Sequence, residues 1–120
     1  LFRSVVSTVR FESAHFLPHV PPDHKCRRMH GHSYRCEIHV TGPILEPQGW
    51  VVDFAEVRRA FEPLRKRLDH NLLNEIEGLD NPTGERIAAW IWAGLAPALP
   101  GLSRLVVYET ESSFVVYTGP

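Results

Sequence analysis

Six even-numbered residues, His30, His32, Tyr34, Cys36, Ile38 and Val40, alternate with Gly31, Ser33, Arg35, Glu37 and His39. This parity predicts a β-strand over His32 to Thr41 with one apolar face. The same face carries two imidazoles, and a polar ring buried without a partner is costly. Something must satisfy His30 and His32. His39 has odd parity with Arg35 and Glu37, which places it on the wetter face and makes it a poor ligand candidate.

Two imidazoles on one strand face can share one metal ion, and His15, at the end of the preceding strand-like run, offers a third. Three histidines are the set with which zinc keeps its fourth position open to water or substrate. The expected metal ligands are therefore His15, His30 and His32, with Zn2+ as cofactor. Cys26 precedes them in Cys26-Arg27-Arg28-Met29-His30-Gly31-His32 and adds a thiol to the cluster. His19 and His24, in the Pro-rich stretch after Leu17, read as loop histidines.

A chain of 120 residues suits a single domain, residues 1–120, around one core. Hydrophobic residues make up 43% and charged residues 22%, and no apolar run reaches membrane length. No membrane partner is expected. The formal charge of −1, with acids and bases interspersed, lacks the basic excess of a nucleic-acid binder. Two cysteines do not make a disulfide framework, and the opening residues show no signal-peptide pattern. A reducing cytoplasm is the expected compartment.

Arg3 to Phe11, rich in Val, Thr and Ser, reads as a first strand, followed by a loop punctuated by Pro18, Pro21 and Pro22. Asp53, with Glu56 three residues on, resembles a capping box that opens a helix carrying Phe54, Val57, Phe61, Leu64 and Leu68 on one stripe. Pro63 inside it predicts a kink or a break near Ala60. Asn81-Pro82-Thr83 opens a second helix with Ile87, Ile91 and Leu95 spaced by four, closed by Pro97 and Pro100-Gly101. Leu105 to Thr110 and Phe114 to Thr118 then read as a hairpin around Glu111-Ser112-Ser113. The order ββααββ predicts an α+β layer: one four-stranded antiparallel sheet with two helices on one face. Its edges are left unpaired, which points to a homo-oligomer.

Two further features carry chemistry. Asp69-His70 sets a carboxylate beside an imidazole at the end of the first helix, and the two face each other only if the chain turns there. Glu109 shares parity with Leu105 and Val107, so a carboxylate projects from an apolar strand face and calls for donors.

Taken together, Phe11-Glu12-Ser13-Ala14-His15, Leu17-Pro18-His19-Val20-Pro21, Cys-x-x-x-His-Gly-His, Val52-Asp53-Phe54, Leu68-Asp69-His70-Asn71-x-Leu73-Asn74, Pro82-Thr83-x-Glu85 and Tyr108-Glu109-Thr110 resemble the 6-pyruvoyl-tetrahydropterin synthase and 6-carboxytetrahydropterin synthase family. The resemblance spans nearly the whole chain. It implies the tunnelling fold (T-fold), in which this unit trimerises so that its sheets close into a barrel, with two trimers commonly stacked into a hexamer. It also implies roles: His15, His30 and His32 as zinc ligands, and Cys26 as general base. Asp69 and His70 become proton-relay partners often supplied across a subunit boundary, Glu109 the carboxylate that pairs with the pterin, and Thr83 and Glu85 neighbouring pterin contacts.

The three residues between Cys26 and His30 resemble the 6-carboxytetrahydropterin synthase branch. The implied reaction converts 7,8-dihydroneopterin triphosphate to 6-carboxy-5,6,7,8-tetrahydropterin, acetaldehyde and triphosphate, in the biosynthesis of queuosine and other 7-deazaguanines. Lys25, Arg27 and Arg28 are available to the triphosphate, with solvated loop charges as the equal alternative. Two other readings stay open. One is 6-pyruvoyl-tetrahydropterin synthase, which eliminates triphosphate but keeps the three-carbon side chain. The other is a zinc-braced binding domain, which would need a closed fourth ligand and a basic face.

Overall fold

The computed structural model describes residues 2–120. Strand β1, Phe2–His15, and strand β2, His30–Pro43, pair antiparallel along their full length, from Phe2 opposite Pro43 to His15 opposite His30. Both outrun the hydrophobic pattern. Ser13 and His15 are polar but face inward and are buried, and apolar alternation alone does not register inward polar residues.

On the far side of β2 lies β4, Leu102–Tyr108, followed by β5, Phe114–Tyr117, both antiparallel. The expected four-stranded antiparallel sheet is corrected at the other edge. There a two-residue strand β3, Asn71–Leu72, runs parallel to β1 at Ser13 and Ala14. The sheet is thus mixed and five-stranded, ordered β3-β1-β2-β4-β5, and the chain order is ββαβαββ. Two residues are too few for alternation to show. Within one chain this sheet is open at β3 and β5, not closed on itself.

Helix α1, Phe54–Leu68, starts where Asp53 Oδ1 accepts from the Ala55 N–H at 2.9 Å. It runs through Pro63 without the expected break. Arg59 and Pro63 are both exposed, so the carbonyl that loses its intrahelical donor faces water, while Val57, Phe61 and Leu68 hold the helix down. Helix α2, Gly84–Leu95, is capped by Thr83, whose Oγ1 accepts from the Arg86 N–H at 3.3 Å.

Both helices cover one face of the sheet. Ile87, Ile91 and Leu95 of α2 and the α1 stripe meet Phe11, Tyr34, Cys36, Ile38, Leu105 and Val107 in one core. Each such side chain contributes about 1.5–3 kcal/mol on burial. The opposite face is polar in its centre: Glu37 accepts from Tyr108 Oη at 3.2 Å and pairs with His39 at 3.0 Å. No helix among the described residues is long and apolar enough to cross a membrane.

Candidate metal centre and active site

The three candidate ligands meet because of strand register. His15 and His30 are direct cross-strand partners, and His32 lies two residues along on the same face. Their ring centroids are 4.6, 5.0 and 5.1 Å apart, and one nitrogen from each falls within 4.8 Å of the others. Such a group can hold a metal ion.

Backbone carbonyls select the nitrogens that face inward. His15 Nδ1 donates to the Pro82 carbonyl at 2.9 Å, and His30 Nδ1 donates to the Arg28 carbonyl at 2.7 Å. A carbonyl accepts only, so each ring carries its proton on Nδ1 and leaves Nε2 unprotonated; that of His15 lies 3.5 Å from the Tyr34 hydroxyl. His32 Nε2 is buried without a hydrogen-bond partner. A buried ring nitrogen without a partner calls for one, and a metal ion held with His15 and His30 could supply it. Burial lowers the pKa of His15 and of His32, which favours the neutral imidazole that binds metal. Below them, Tyr34 is fully buried, its hydroxyl 3.3 Å from His15 Nδ1 and its ring edge-on to His15 and His32.

Cys26 stands outside this cluster of coordinating atoms. It occupies a 3₁₀ turn, Lys25–Arg27, where its N–H donates to His24 Nδ1 at 3.0 Å and its carbonyl accepts from the Leu17 N–H at 2.8 Å. The second bond ties the turn back to the chain just beyond His15. Arg27 is occupied structurally, donating to the Val20 carbonyl at 2.8 Å. The other thiol, Cys36, lies in the core, and burial pushes its pKa up to about 12.

Asp69 and His70 do face each other, because the helix ends at Leu68, just before them. Asp69 caps α1 in an extended conformation and His70 adopts φ 60°, the left-handed region. Asp69 Oδ1 accepts from the Glu12 N–H at 2.8 Å, and Oδ2 lies 3.0 Å from His70 Nδ1. The Glu12 N–H, then the His70 ring, holds the Asp69 carboxyl below its usual pKa range. His70 is exposed and lines a groove of about 520 Å³ together with Glu12, Ser33 and His32.

Glu109 bridges the histidine cluster and a second cavity. Its Oε1 is 3.4 Å from His32 Nε2, and with Glu85, Val107, Ser113 and Phe114 it lines about 170 Å³. A Cβ on Gly84 would sit 3.0 Å from Val115 Cγ2, so glycine lets α2 start close enough to β5 to bring Glu85 beside Glu109. Thr83 lies at the same helix start, with its hydroxyl oxygen used as the cap. Sequence reasoning did not find Pro82 or Arg28 as anchors of the histidines. A backbone carbonyl carries no residue signature.

The 6-pyruvoyl tetrahydropterin synthase family model matches residues 4–120. The chain is 45% identical over 116 residues to the 6-carboxy-5,6,7,8-tetrahydropterin synthase of Synechocystis sp., covering 92% of this chain and 88% of that protein. It is 34% identical over 108 residues to the dihydroneopterin monophosphate aldolase of Pyrococcus furiosus, covering 88% of each. Among solved structures, Caenorhabditis elegans 6-pyruvoyl tetrahydropterin synthase shares the fold with a TM-score of 0.92 at 20% identity, over 100% of this chain and 97% of that one. By sequence over nearly its whole length, and with a fold to match, the chain belongs to the 6-pyruvoyl tetrahydropterin synthase family.

Proposed function

We propose that this chain is a 6-carboxy-5,6,7,8-tetrahydropterin synthase, taking 7,8-dihydroneopterin triphosphate and water to 6-carboxytetrahydropterin, acetaldehyde and triphosphate, as a step toward queuosine. The carrying observation is the set of three convergent imidazoles, two pinned through Nδ1 and one with an orphaned Nε2, in a chain 45% identical to an enzyme of that name. His15, His30 and His32 would hold Zn2+, which supplies a Lewis acid for the oxygens of the substrate side chain.

Every other role belongs to the protein. Glu109 and Glu85 line the same cavity, and the Glu109 carboxylate accepts from the amino and ring N–H groups of the pterin. Thr83, at the start of α2, adds a neighbouring contact. Cys26, on the turn tied to the chain after His15, takes the proton from the carbon next to the reacting oxygen. Asp69 keeps the Nδ1 proton of His70 directed at itself, so Nε2 is free to accept or return a proton in the groove shared with His32. The open sheet edges at β3 and β5 support assembly as a trimer or a dimer of trimers, with the sheets closing into a barrel. The free thiols of Cys26 and Cys36 accord with a cytoplasmic enzyme.

Metal analysis after dialysis tests the site directly. His15→Ala, His30→Ala and His32→Ala should each lose zinc and activity together, because among the described residues these three histidines alone make up the group that could hold a metal ion. Cys26→Ala should keep zinc and lose turnover. Stoichiometric zinc in all three histidine variants removes the metal site, and a zinc-free Cys26→Ala makes that thiol a ligand and the site a closed one.

A further inference from the structure

Asn74 belongs to a motif singled out in the sequence, yet none of the roles above uses it. It sits on a 3₁₀ turn, Leu73–Glu75, whose first residue, Leu73, is completely buried, so its backbone is anchored in the core. Its side chain reaches the residue directly after His15. Asn74 Oδ1 accepts from the Phe16 N–H at 3.0 Å, and Nδ2 donates to the Phe16 carbonyl at 2.8 Å and to the Asp80 carbonyl at 3.5 Å.

The position of these bonds gives them meaning. Strand β3 pairs with β1 only at Ser13 and Ala14, so the ladder ends just short of His15. A carboxamide offers one acceptor and a donor pair, the complement of a peptide unit, and Asn74 uses both to carry that ladder one step past the histidine. The same amide holds Asp80, two residues before Pro82, whose carbonyl orients the His15 ring.

We propose that Asn74 is a positioning residue for the metal site, fixing His15 both through the backbone that follows it and through the loop that carries its Pro82 anchor. This rests on the metal-site reading above. Groups that orient metal ligands without touching the ion typically govern affinity by about 10- to 100-fold.

The test uses the full chain and inorganic zinc. Asn74→Asp is nearly isosteric and keeps the acceptor for the Phe16 N–H, but turns an oxygen toward the Phe16 and Asp80 carbonyls. Asn74→Ala removes all three bonds. Zinc affinity is read by competition with a chromogenic chelator, and stability by thermal unfolding of the metal-free protein. The comparison is Phe61→Leu, which loosens the core beneath β1, where Phe61 packs on Phe11 at 6.2 Å between centroids and takes part in none of the Asn74 bonds. Both Asn74 variants are expected to bind zinc about tenfold more weakly or worse, with activity recovering as zinc is raised. Phe61→Leu is expected to lower the melting temperature and leave zinc affinity unchanged. Wild-type zinc affinity in Asn74→Asp, or an equal loss in Phe61→Leu, would overturn the proposal. A wild-type chain that binds no zinc would overturn both this proposal and the reading beneath it.

Discussion

Glu109 Oε1 and His32 Nε2 approach to 3.4 Å without forming a hydrogen bond, which leaves both groups uncommitted. In the proposed enzyme each has a partner that arrives later, a metal for the imidazole and the pterin edge for the carboxylate. Glu109→Gln keeps the shape but replaces one acceptor by a donor, which then meets a donor on the ring. Charged hydrogen bonds of this kind contribute about 1.5–3 kcal/mol each, so kcat/KM should fall at least about tenfold with zinc content unchanged. Wild-type kinetics would make Glu109 structural and place the pterin elsewhere. At this scale the sequence was legible wherever parity carried the signal: His30 and His32 stand out because polar side chains interrupt an apolar strand face, and parity also singled out Glu109, although β4 ends one residue before it, at Tyr108, and not at the expected Thr110. It was illegible where the partner is backbone or distant. The Pro82 carbonyl lies 67 positions from His15, and the facing of Asp69 and His70 depends on a left-handed φ that no residue type announces.

Among the elements, both helices and four strands follow from periodicity, with ends shifted by up to a few residues where polar groups are buried or loops pair. Strand β3 escaped because two residues have no period, and its parallel direction follows from the chain returning across β1 after α1. Pro63 misled for a physical reason. Its missing N–H matters only if the orphaned carbonyl cannot reach water, and in α1 that carbonyl lies on the exposed side. The cost is offset by packing but still present, so Pro63→Ala should stabilise the protein by about 2 kcal/mol, the helix-propensity gain less the added freedom of the unfolded chain. Denaturant unfolding checks it. An unchanged midpoint would mean that the helix has relaxed fully around the proline.

For the molecule as a whole, the sheet's two open edges and the exposed Phe2, Phe114 and Val116, at 71%, 53% and 45% relative exposure, offer apolar surface and unpaired strands to the proposed assembly. Light scattering should report a multiple of three, and mixing Cys26→Ala with His70→Ala subunits should restore activity if these residues meet across a boundary. An active monomer would end the barrel model. The sequence spoke to the proposed assembly only through unpaired edges, since neither symmetry nor copy number is written in one strand's pattern. The chemistry rests on the product. The zinc-loaded protein, incubated with 7,8-dihydroneopterin triphosphate and followed by mass spectrometry, should yield 6-carboxytetrahydropterin together with acetaldehyde and triphosphate. A product that retains the three-carbon side chain, with no acetaldehyde released, would contradict the assignment.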